Sequence, residues 1–227
     1  MRYAIYFLPE RNSELAEFGA QWLGWNIATG ESPEHPVVPG LPDEVSRLTT
    51  APRKYGFHAT LKAPFRLAQG KTQKQLSIEL HDLAQDFAPF AIGRLKLTNL
   101  GGFLALTEST PTDALGDFAQ DCVQRFDRFR APLNEAERIR RRKSNLSERQ
   151  DALLRAWGYP YVLDEYRFHL TLTSKLEPTL AKQIQAALEE YLADLLQPPV
   201  VLQSVCLCAE LETGAFRLIE RVPLSGQ

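Results

Sequence analysis

One seven-residue pattern occurs twice in this chain and limits what the chain can fold into. The first copy is YGFHATL (55–61) and the second is YRFHLTL (166–172), so both follow Tyr-x-Phe-His-x-Thr-Leu. Side chains alternate between the two faces of a strand. In each copy the Tyr, Phe and Leu side chains therefore share an apolar face, and the His and Thr side chains share the opposite face. The pattern predicts two half-buried strands that each carry one histidine and one threonine.

The predicted elements that follow each copy also repeat in the same order. An amphipathic helix is predicted at 71–88 and another at 176–196, and each precedes a hairpin. The hairpin turns lie at Asn99–Gly102 and at Thr213-Gly214. Repetition of a whole supersecondary unit indicates an internal duplication. We therefore predict an α+β fold of duplicated β-α-β-β units, bilobal, with antiparallel sheets that face a central cleft.

The length of 227 residues fits one bilobal domain spanning 1–227. We expect the lobes at roughly 1–130 and 160–227, joined by a basic helical segment at 131–159. Cys206 and Cys208 alternate along a β-like run, and with Cys122 they make an odd number of cysteines. This count argues against a disulfide framework, and we interpret the pair as small core side chains rather than a metal site.

The overall charge favours a small anionic substrate over a long nucleic acid. The net charge is −2 and the pI is about 6.1, whereas proteins that bind long nucleic acids are usually basic. The first residues, MRYAIYFLPE, are predicted to form a strand rather than a signal peptide. No window approaches the roughly 18 apolar residues of a membrane span. We therefore expect a cytoplasmic protein that does not bind a membrane and needs no obligate protein partner.

The two repeated polar faces have the groups that phosphodiester chemistry needs. Histidine titrates near neutral pH, so His58 and His169 could act as a general base and a general acid across a cleft. Thr60 and Thr171 lie two residues further along each strand, where their hydroxyls could donate to phosphate oxygens. This pair of proton-transfer groups needs no metal or other cofactor. The pseudo-symmetry leaves open which histidine is the base.

Several other residues are candidates for substrate binding. Arg167 and Lys62 share the histidine faces and could supply positive charge, as could Lys175. Tyr6 could reach the cleft from the first strand, although a core position is the simpler interpretation.

The densest positive charge in the chain is Arg138-Ile139-Arg140-Arg141-Arg142-Lys143. A solvated helix face is the simpler interpretation of this run. Alternatively, Arg138, Arg141 and Arg142 could share one side of a helix and bind a second phosphate.

The repeated motifs resemble a known group of enzymes. The stretches His58-Ala59-Thr60-Leu61 and His169-Leu170-Thr171-Leu172 are similar to the paired H-x-T-x signatures of the two-histidine (2H) phosphoesterase superfamily, which includes LigT-like bacterial RNA 2′,3′-cyclic phosphodiesterases. The longer stretches PRKYGFHATLKAPF and WGYPYVLDEYRFHLTLT resemble a branch associated with phosphonate-metabolism operons.

This resemblance implies the bilobal α+β fold, catalytic histidines at both motif positions and threonines that bind the phosphate. It also implies a small cyclic phosphate or phosphonate-pathway ester as substrate. The loop 30–53 and the basic segment 130–150 exceed a minimal member of the superfamily, so substrate size is not carried over.

Three functions are consistent with the sequence. The first is a metal-independent phosphodiesterase that opens a small cyclic phosphate or phosphodiester to a monoester. The second is RNA-end processing, as a 2′,3′-cyclic phosphodiesterase or 2′-5′ ligase with a short RNA end as partner. The third is a protein that binds a phosphorylated metabolite without turning it over. Zinc binding through the two histidines is disfavoured, because the chain has no H-E-x-x-H motif and no pattern for a third ligand.

Overall fold

A computed structural model describes residues 1–142 and 145–226. The helices are α1 (Glu14–Leu23), α2 (Val45–Leu48), α3 (Gln73–Gln85), α4 (Asp113–Asp127), α5 (Glu135–Arg142), α6 (Glu148–Trp157) and α7 (Pro178–Tyr191). The strands are β1 (Tyr3–Phe7), β2 (Ala59–Phe65), β3 (Phe90–Gly93), β4 (Leu95–Asn99), β5 (Leu104–Glu108), β6 (Leu170–Thr171), β7 (Val200–Leu202), β8 (Ser204–Glu210) and β9 (Phe216–Pro223).

The strands form three antiparallel sheets. The first has the order β2-β1-β8-β9, the second β4-β5-β6, and the third is the pair β3-β7. The predicted order of His-strand, helix and hairpin recurs as β2-α3-β4-β5 and β6-α7-β8-β9, with β3 and β7 added before the hairpins. This arrangement confirms the predicted α+β class with antiparallel sheets.

The sheets combine strands from the two repeats. The hairpin β4-β5 pairs with the second His-strand, with Ala105 opposite Thr171. The hairpin β8-β9 is joined to the first His-strand through β1, where Tyr6 lies opposite both Thr60 and Cys206. Each sheet thus contains strands from both parts of the chain.

Each histidine lies one residue before its hydrogen-bonded strand begins, although the sequence predicts strands from 55 and from 166. A short 3₁₀ turn precedes each copy, at Arg53–Tyr55 and at Leu163–Glu165. Gly56 ends the first turn at φ +71°, and a Cβ on it would lie 2.5 Å from the Cβ of Ile27. The glycine is therefore needed both for the left-handed backbone and for the close packing.

The first sheet is apolar on both faces. Ile5, Phe7 and Leu61 belong to the main core, which also contains buried residues of α1, α3 and α4. The opposite face packs Tyr6 and Phe216 with the two buried thiols Cys206 and Cys208, as the interpretation of these cysteines as core residues predicts. In the described ranges, no helix has the length and apolar character needed to cross a bilayer.

Trp22 on α1 joins the N-terminal region to the second His-strand. Its side chain is fully buried, and its indole Nε1 donates to the backbone oxygen of Leu172 at 2.7 Å. Nearby, the backbone nitrogen of Ser174 donates to the oxygen of Leu48 at 2.6 Å. The end of the 30–53 loop and α1 therefore fix the strand that follows His169.

We predict that Trp22→Phe destabilises the protein by about 1–3 kcal/mol, because it removes a buried hydrogen bond and leaves the Leu172 carbonyl without that donor. Urea unfolding would measure the change. As a control, Tyr191→Phe alters a 41% exposed side chain, and we expect it to have little effect. Equal unfolding free energies for wild type and Trp22→Phe would contradict this role.

Candidate active site

Both motif histidines are held in the same way by their own chain. Nδ1 of His58 lies 2.8 Å from the backbone oxygen of Gly56, and Nδ1 of His169 lies 2.8 Å from that of Arg167. Because a carbonyl only accepts, Nδ1 carries the hydrogen in both rings. In the neutral form, Nε2 then has the free lone pair. The two repeats thus present the same basic nitrogen by the same two-residue contact.

The two repeats contribute to one cleft of about 470 Å³. Its lining comprises Thr60, Asn99, Leu100, Gly101, Phe103, Gln150, Tyr159, Tyr161, Glu165, Tyr166, Arg167 and His169. Nε2 of His58 lies 3.1 Å from the hydroxyl oxygen of Thr60, so the first histidine reaches the cleft through that threonine. Thr60, Arg167 and His169 therefore line one cleft, and His58 contacts the Thr60 member of that lining.

The two imidazoles have different electrostatic environments. Burial lowers the pKa of His58 to about 4, partly opposed by the bond to the Gly56 carbonyl and reinforced by the charge of His169. Burial also lowers the pKa of His169, and its bond to the Arg167 carbonyl opposes this shift. His58 is consequently the ring that resists protonation more strongly. The two motif histidines, which look equivalent in the sequence, therefore differ in their affinity for a proton.

The Tyr6 ring packs against the His58 ring. The two rings stack with their centroids 3.7 Å apart and their planes at 27°. Tyr6 is fully buried, and burial raises the pKa of its phenol well above the usual value. Its side chain therefore contacts the histidine and the core, and it does not line the cleft as a substrate-binding residue would.

Lys62 is engaged in contacts within the protein and is not a substrate-binding residue. Its ammonium donates to Asp127 Oδ1 at 2.7 Å and to the Val123 backbone oxygen at 2.9 Å, both on α4. Burial lowers the pKa of Lys62 to about 8, although the bond to Asp127 opposes the shift. The pairing of β1 with β2 is irregular between Thr60 and Lys62, so strict alternation does not carry the His58 face as far as Lys62, and its side chain contacts α4 instead.

Thr171 occupies the position in β6 that Thr60 occupies in β2. It is half-buried and lies opposite Ala105. Of the two threonines, only Thr60 is among the described residues that line the cleft. The repeat is thus less symmetrical in the fold than in the sequence.

The arginine side chains of α5 lie in two different places. The Arg141 guanidinium lies 5.0 Å from the ring centroid of Tyr159, a residue of the cleft wall. Arg138 and Arg142 instead line a separate groove, which also contains Arg130 and Arg155. Positions four apart share a helix face, so Arg138 and Arg142 point together while Arg141 faces the protein. Lys143, also part of the predicted basic run, lies outside the described residues.

Sequence reasoning missed most of the cleft wall. Asn99 and Phe103 come from the β4-β5 turn, and the rings of Phe103 and His169 are 6.0 Å apart. Tyr159, Tyr161 and Glu165 come from the segment after α6. A signal was present, because GYPYVLDEY runs directly into the second His motif. The described residues contain no cluster of three or more His, Cys, Asp or Glu side chains that could hold a metal ion.

The family model of a protein of unknown function, DUF1045, matches residues 60–217. The chain therefore belongs to the DUF1045 family, and the match contains both the first threonine of the site and the second His motif. Two curated relatives share the name ribose 1,5-bisphosphate phosphokinase PhnN. One, from Janthinobacterium sp. (strain Marseille), is 39% identical over 100% of this chain and 51% of the relative. The other, from Laribacter hongkongensis (strain HLHK9), is 34% identical over 98% of this chain and 52% of the relative.

This chain spans about half the length of those two relatives. Solved structures with similarity include TT0787 of Thermus thermophilus, with a TM-score of 0.46 and 16% identity over 100% of both chains. Another is E. coli LigT complexed with 3′-AMP, with a TM-score of 0.44, 14% identity and 99% of each chain covered.

We predict different effects for Lys62 and Arg167. Lys62→Met should cost about 1–3 kcal/mol of stability, because it removes a buried charge partner of Asp127. Arg167→Met should leave stability unchanged and weaken the binding of inorganic phosphate about tenfold, since an exposed cleft cation is lost. Urea unfolding and calorimetric titration with phosphate, on both variants, separate the two roles. Normal stability with weakened phosphate binding in Lys62→Met would show that Lys62 belongs to the binding site.

Proposed function

We propose that this protein is a metal-independent phosphodiesterase that opens a small cyclic phosphate to a monoester by acid–base catalysis between His58 and His169. The observation that carries this proposal is the matched pair of Nδ1–H···O=C bonds. They make Nε2 the basic nitrogen of each ring. His169 lines the cleft with Thr60 and Arg167, and Nε2 of His58 contacts the Thr60 hydroxyl. Two histidines that served only as core residues would have no reason to adopt the same tautomer through the same two-residue contact.

The different environments of the rings support one assignment of roles. Burial lowers the pKa of His58 to about 4, so this ring is neutral at physiological pH. We therefore assign His58 as the general base. Its Nε2 takes a proton from water as the water oxygen bonds to phosphorus. The P–O bond of the ring breaks, and protonated His169 gives its Nε2 proton to the leaving oxygen. The products are a phosphate monoester and a free hydroxyl.

The other groups stabilise the charge that develops on the phosphate. The Thr60 hydroxyl donates to His58 Nε2 in this structure, and with substrate bound it can turn its one hydrogen toward a non-bridging oxygen. The Arg167 guanidinium adds positive charge at the cleft. A bound phosphate anion also raises the pKa of both imidazoles, since an opposite charge favours the protonated form. Substrate binding therefore assists the protonation of His169 that the leaving group requires. Tyr6 holds the base in position by stacking on it.

The relatives suggest which cyclic phosphate is used. They are named for a kinase of ribose 1,5-bisphosphate and are about twice as long as this chain. This chain has no G-x-x-x-x-G-K-[ST] loop for a nucleotide phosphate, so we assign the kinase activity to the other half of those proteins. Opening a ribose 1,2-cyclic phosphate yields a ribose 1-phosphate monoester, and the same reaction on a ribose that also carries a 5-phosphate yields ribose 1,5-bisphosphate, the compound named in those relatives. We infer that this part supplies that bisphosphate to the kinase, in phosphonate metabolism.

RNA-end processing is a second candidate, supported by the groove of Arg130, Arg138, Arg142 and Arg155. Arg130 is paired with Asp127, and Arg142 and Arg155 are both paired with Asp151. This neutralisation reduces the charge that the groove could offer to phosphates. Retention of a short RNA that weakens steeply with added salt would favour this candidate.

We predict that the protein opens ribose 1,2-cyclic phosphate or 2′,3′-cyclic nucleotides in the presence of EDTA. His58→Asn and His169→Asn should each lower kcat by about 10²- to 10⁴-fold, because each removes one proton transfer. Phosphorus NMR would follow the ring opening, and His81→Asn, which changes an exposed histidine away from the cleft, is the control. Intact substrates, or wild-type turnover in both variants, would refute the proposal. Tight binding without turnover would instead indicate a metabolite-binding protein.

We also predict an acidic optimum for kcat/KM. In the free enzyme His58 must be neutral, which holds above its pKa of about 4, and His169 must be protonated, which holds below a pKa lowered from 6.5. The optimum should therefore lie below pH 6.5, and the optimum of kcat should lie higher, because bound phosphate raises both pKa values. A kcat/KM that rises steadily from pH 7 to pH 9 would exclude these roles.

A further inference from the structure

We propose that Glu165, held in place by Gln150, binds a hydroxyl group of the substrate's sugar and so selects ribose cyclic phosphates over simpler ones. This inference rests on the proposed function, since it concerns the substrate of the same cleft. Gln150 Nε2 donates to Glu165 Oε2 at 3.0 Å, and both side chains line the cleft that contains His169. An ionised carboxylate has two oxygens and about four acceptor positions, so one amide bond leaves acceptor capacity for a ligand hydroxyl.

The Glu165 carboxylate is fixed through a chain of contacts that begins at α6. The Ser147 hydroxyl oxygen accepts from the Gln150 backbone nitrogen at 3.1 Å, and Gln150 Oε1 accepts from the Ser147 backbone nitrogen at 3.1 Å. This capping box orients the Gln150 amide, whose nitrogen then orients Glu165. A ligand hydroxyl would therefore meet a pre-positioned acceptor, which reduces the entropy lost on binding.

The backbone that carries Glu165 is also unusual. Leu163, which begins the 3₁₀ turn at Leu163–Glu165, has φ +55°. Leucine rarely adopts this left-handed conformation. The turn directs the chain from the α6 region into the second His motif, so Glu165 is kept four residues before His169.

The rest of this wall suits a sugar ring. Phe103 lies 6.0 Å from the His169 ring, and Tyr161, which is 38% exposed, packs edge-on against Tyr159. Aromatic faces pack against the apolar face of a ligand, while a few polar groups fix its orientation. Asn99, at the turn after β4, adds a further polar side chain to the lining. Aromatic and hydroxyl-binding groups are thus both present beside the phosphate-binding end.

The charges divide the cleft into two ends. Arg167 and protonated His169 favour an anion, whereas the Glu165 carboxylate repels one. A substrate that has its cyclic phosphate beside the histidines would therefore present an uncharged hydroxyl-bearing group to Glu165. A sugar meets this requirement, and a second phosphate directed at Glu165 does not.

The experiment compares two substrates that share the five-membered cyclic phosphate. Ribose 1,2-cyclic phosphate carries free hydroxyls, and ethylene phosphate carries none. We expect Glu165→Ala to lower kcat/KM for the ribose compound at least about tenfold more than for ethylene phosphate, chiefly through KM, because a hydrogen bond to a charged group is lost. Glu165→Gln keeps one acceptor oxygen and should give a smaller change in the ratio.

Asp164→Asn is the matched control, because Asp164 is the adjacent acidic residue and is exposed in an ion pair with Arg149. We expect this variant to keep the wild-type ratio of the two kcat/KM values. An equal loss for both substrates in Glu165→Ala and Glu165→Gln would overturn the sugar-binding role while leaving the proposed function intact. If the wild type opens neither compound and also leaves 2′,3′-cyclic nucleotides intact, the proposed function fails as well.

Discussion

The position of β1 between β2 and β8 is the interaction on which the other features depend. Tyr6 in β1 pairs on one side with Thr60 and on the other with Cys206. The strand after His58 is thereby fixed to a hairpin encoded at the far end of the chain. The same strand supplies the Tyr6 ring on which the His58 ring stacks. One strand thus joins the two repeats and orients a residue of the candidate site.

The chemistry of the site depends on a balance between burial and hydrogen bonding. Burial alone would favour neutral imidazoles, and the carbonyls of Gly56 and Arg167 oppose that tendency while fixing the tautomer. Because both carbonyls lie two residues before their histidine, the local backbone settles the ring orientation with little help from distant elements. Distant elements instead set how deeply each ring is buried. The rings therefore share one orientation and differ in proton affinity.

The repeated motif was sufficient to predict the α+β class and the helix and hairpin order, and it includes three residues of the cleft lining, Thr60, Arg167 and His169. Strand alternation failed at Lys62, because the pairing of β1 with β2 is irregular between Thr60 and Lys62 and the alternating pattern of the sequence does not show where a strand bulges. The helical spacing of Arg138 and Arg141 did not indicate which side of α5 faces the protein, and Arg141 is the one that contacts Tyr159. Glu165 and Gln150 were not predicted, because no local pattern distinguishes a cleft carboxylate from a surface one.

The sequence by itself determined the local geometry: which residues alternate on each strand, where Gly56 permits a left-handed turn, and which nitrogen each histidine presents. These features depend on contacts within a few residues, so a short window of sequence encodes them. Only the tertiary structure decided that hairpins pair across the repeats, that His58 is stacked on Tyr6, and that Glu165 faces the same cleft as His169. These outcomes depend on long-range packing, in which many segments compete for the same apolar surfaces and no single stretch of sequence records the result.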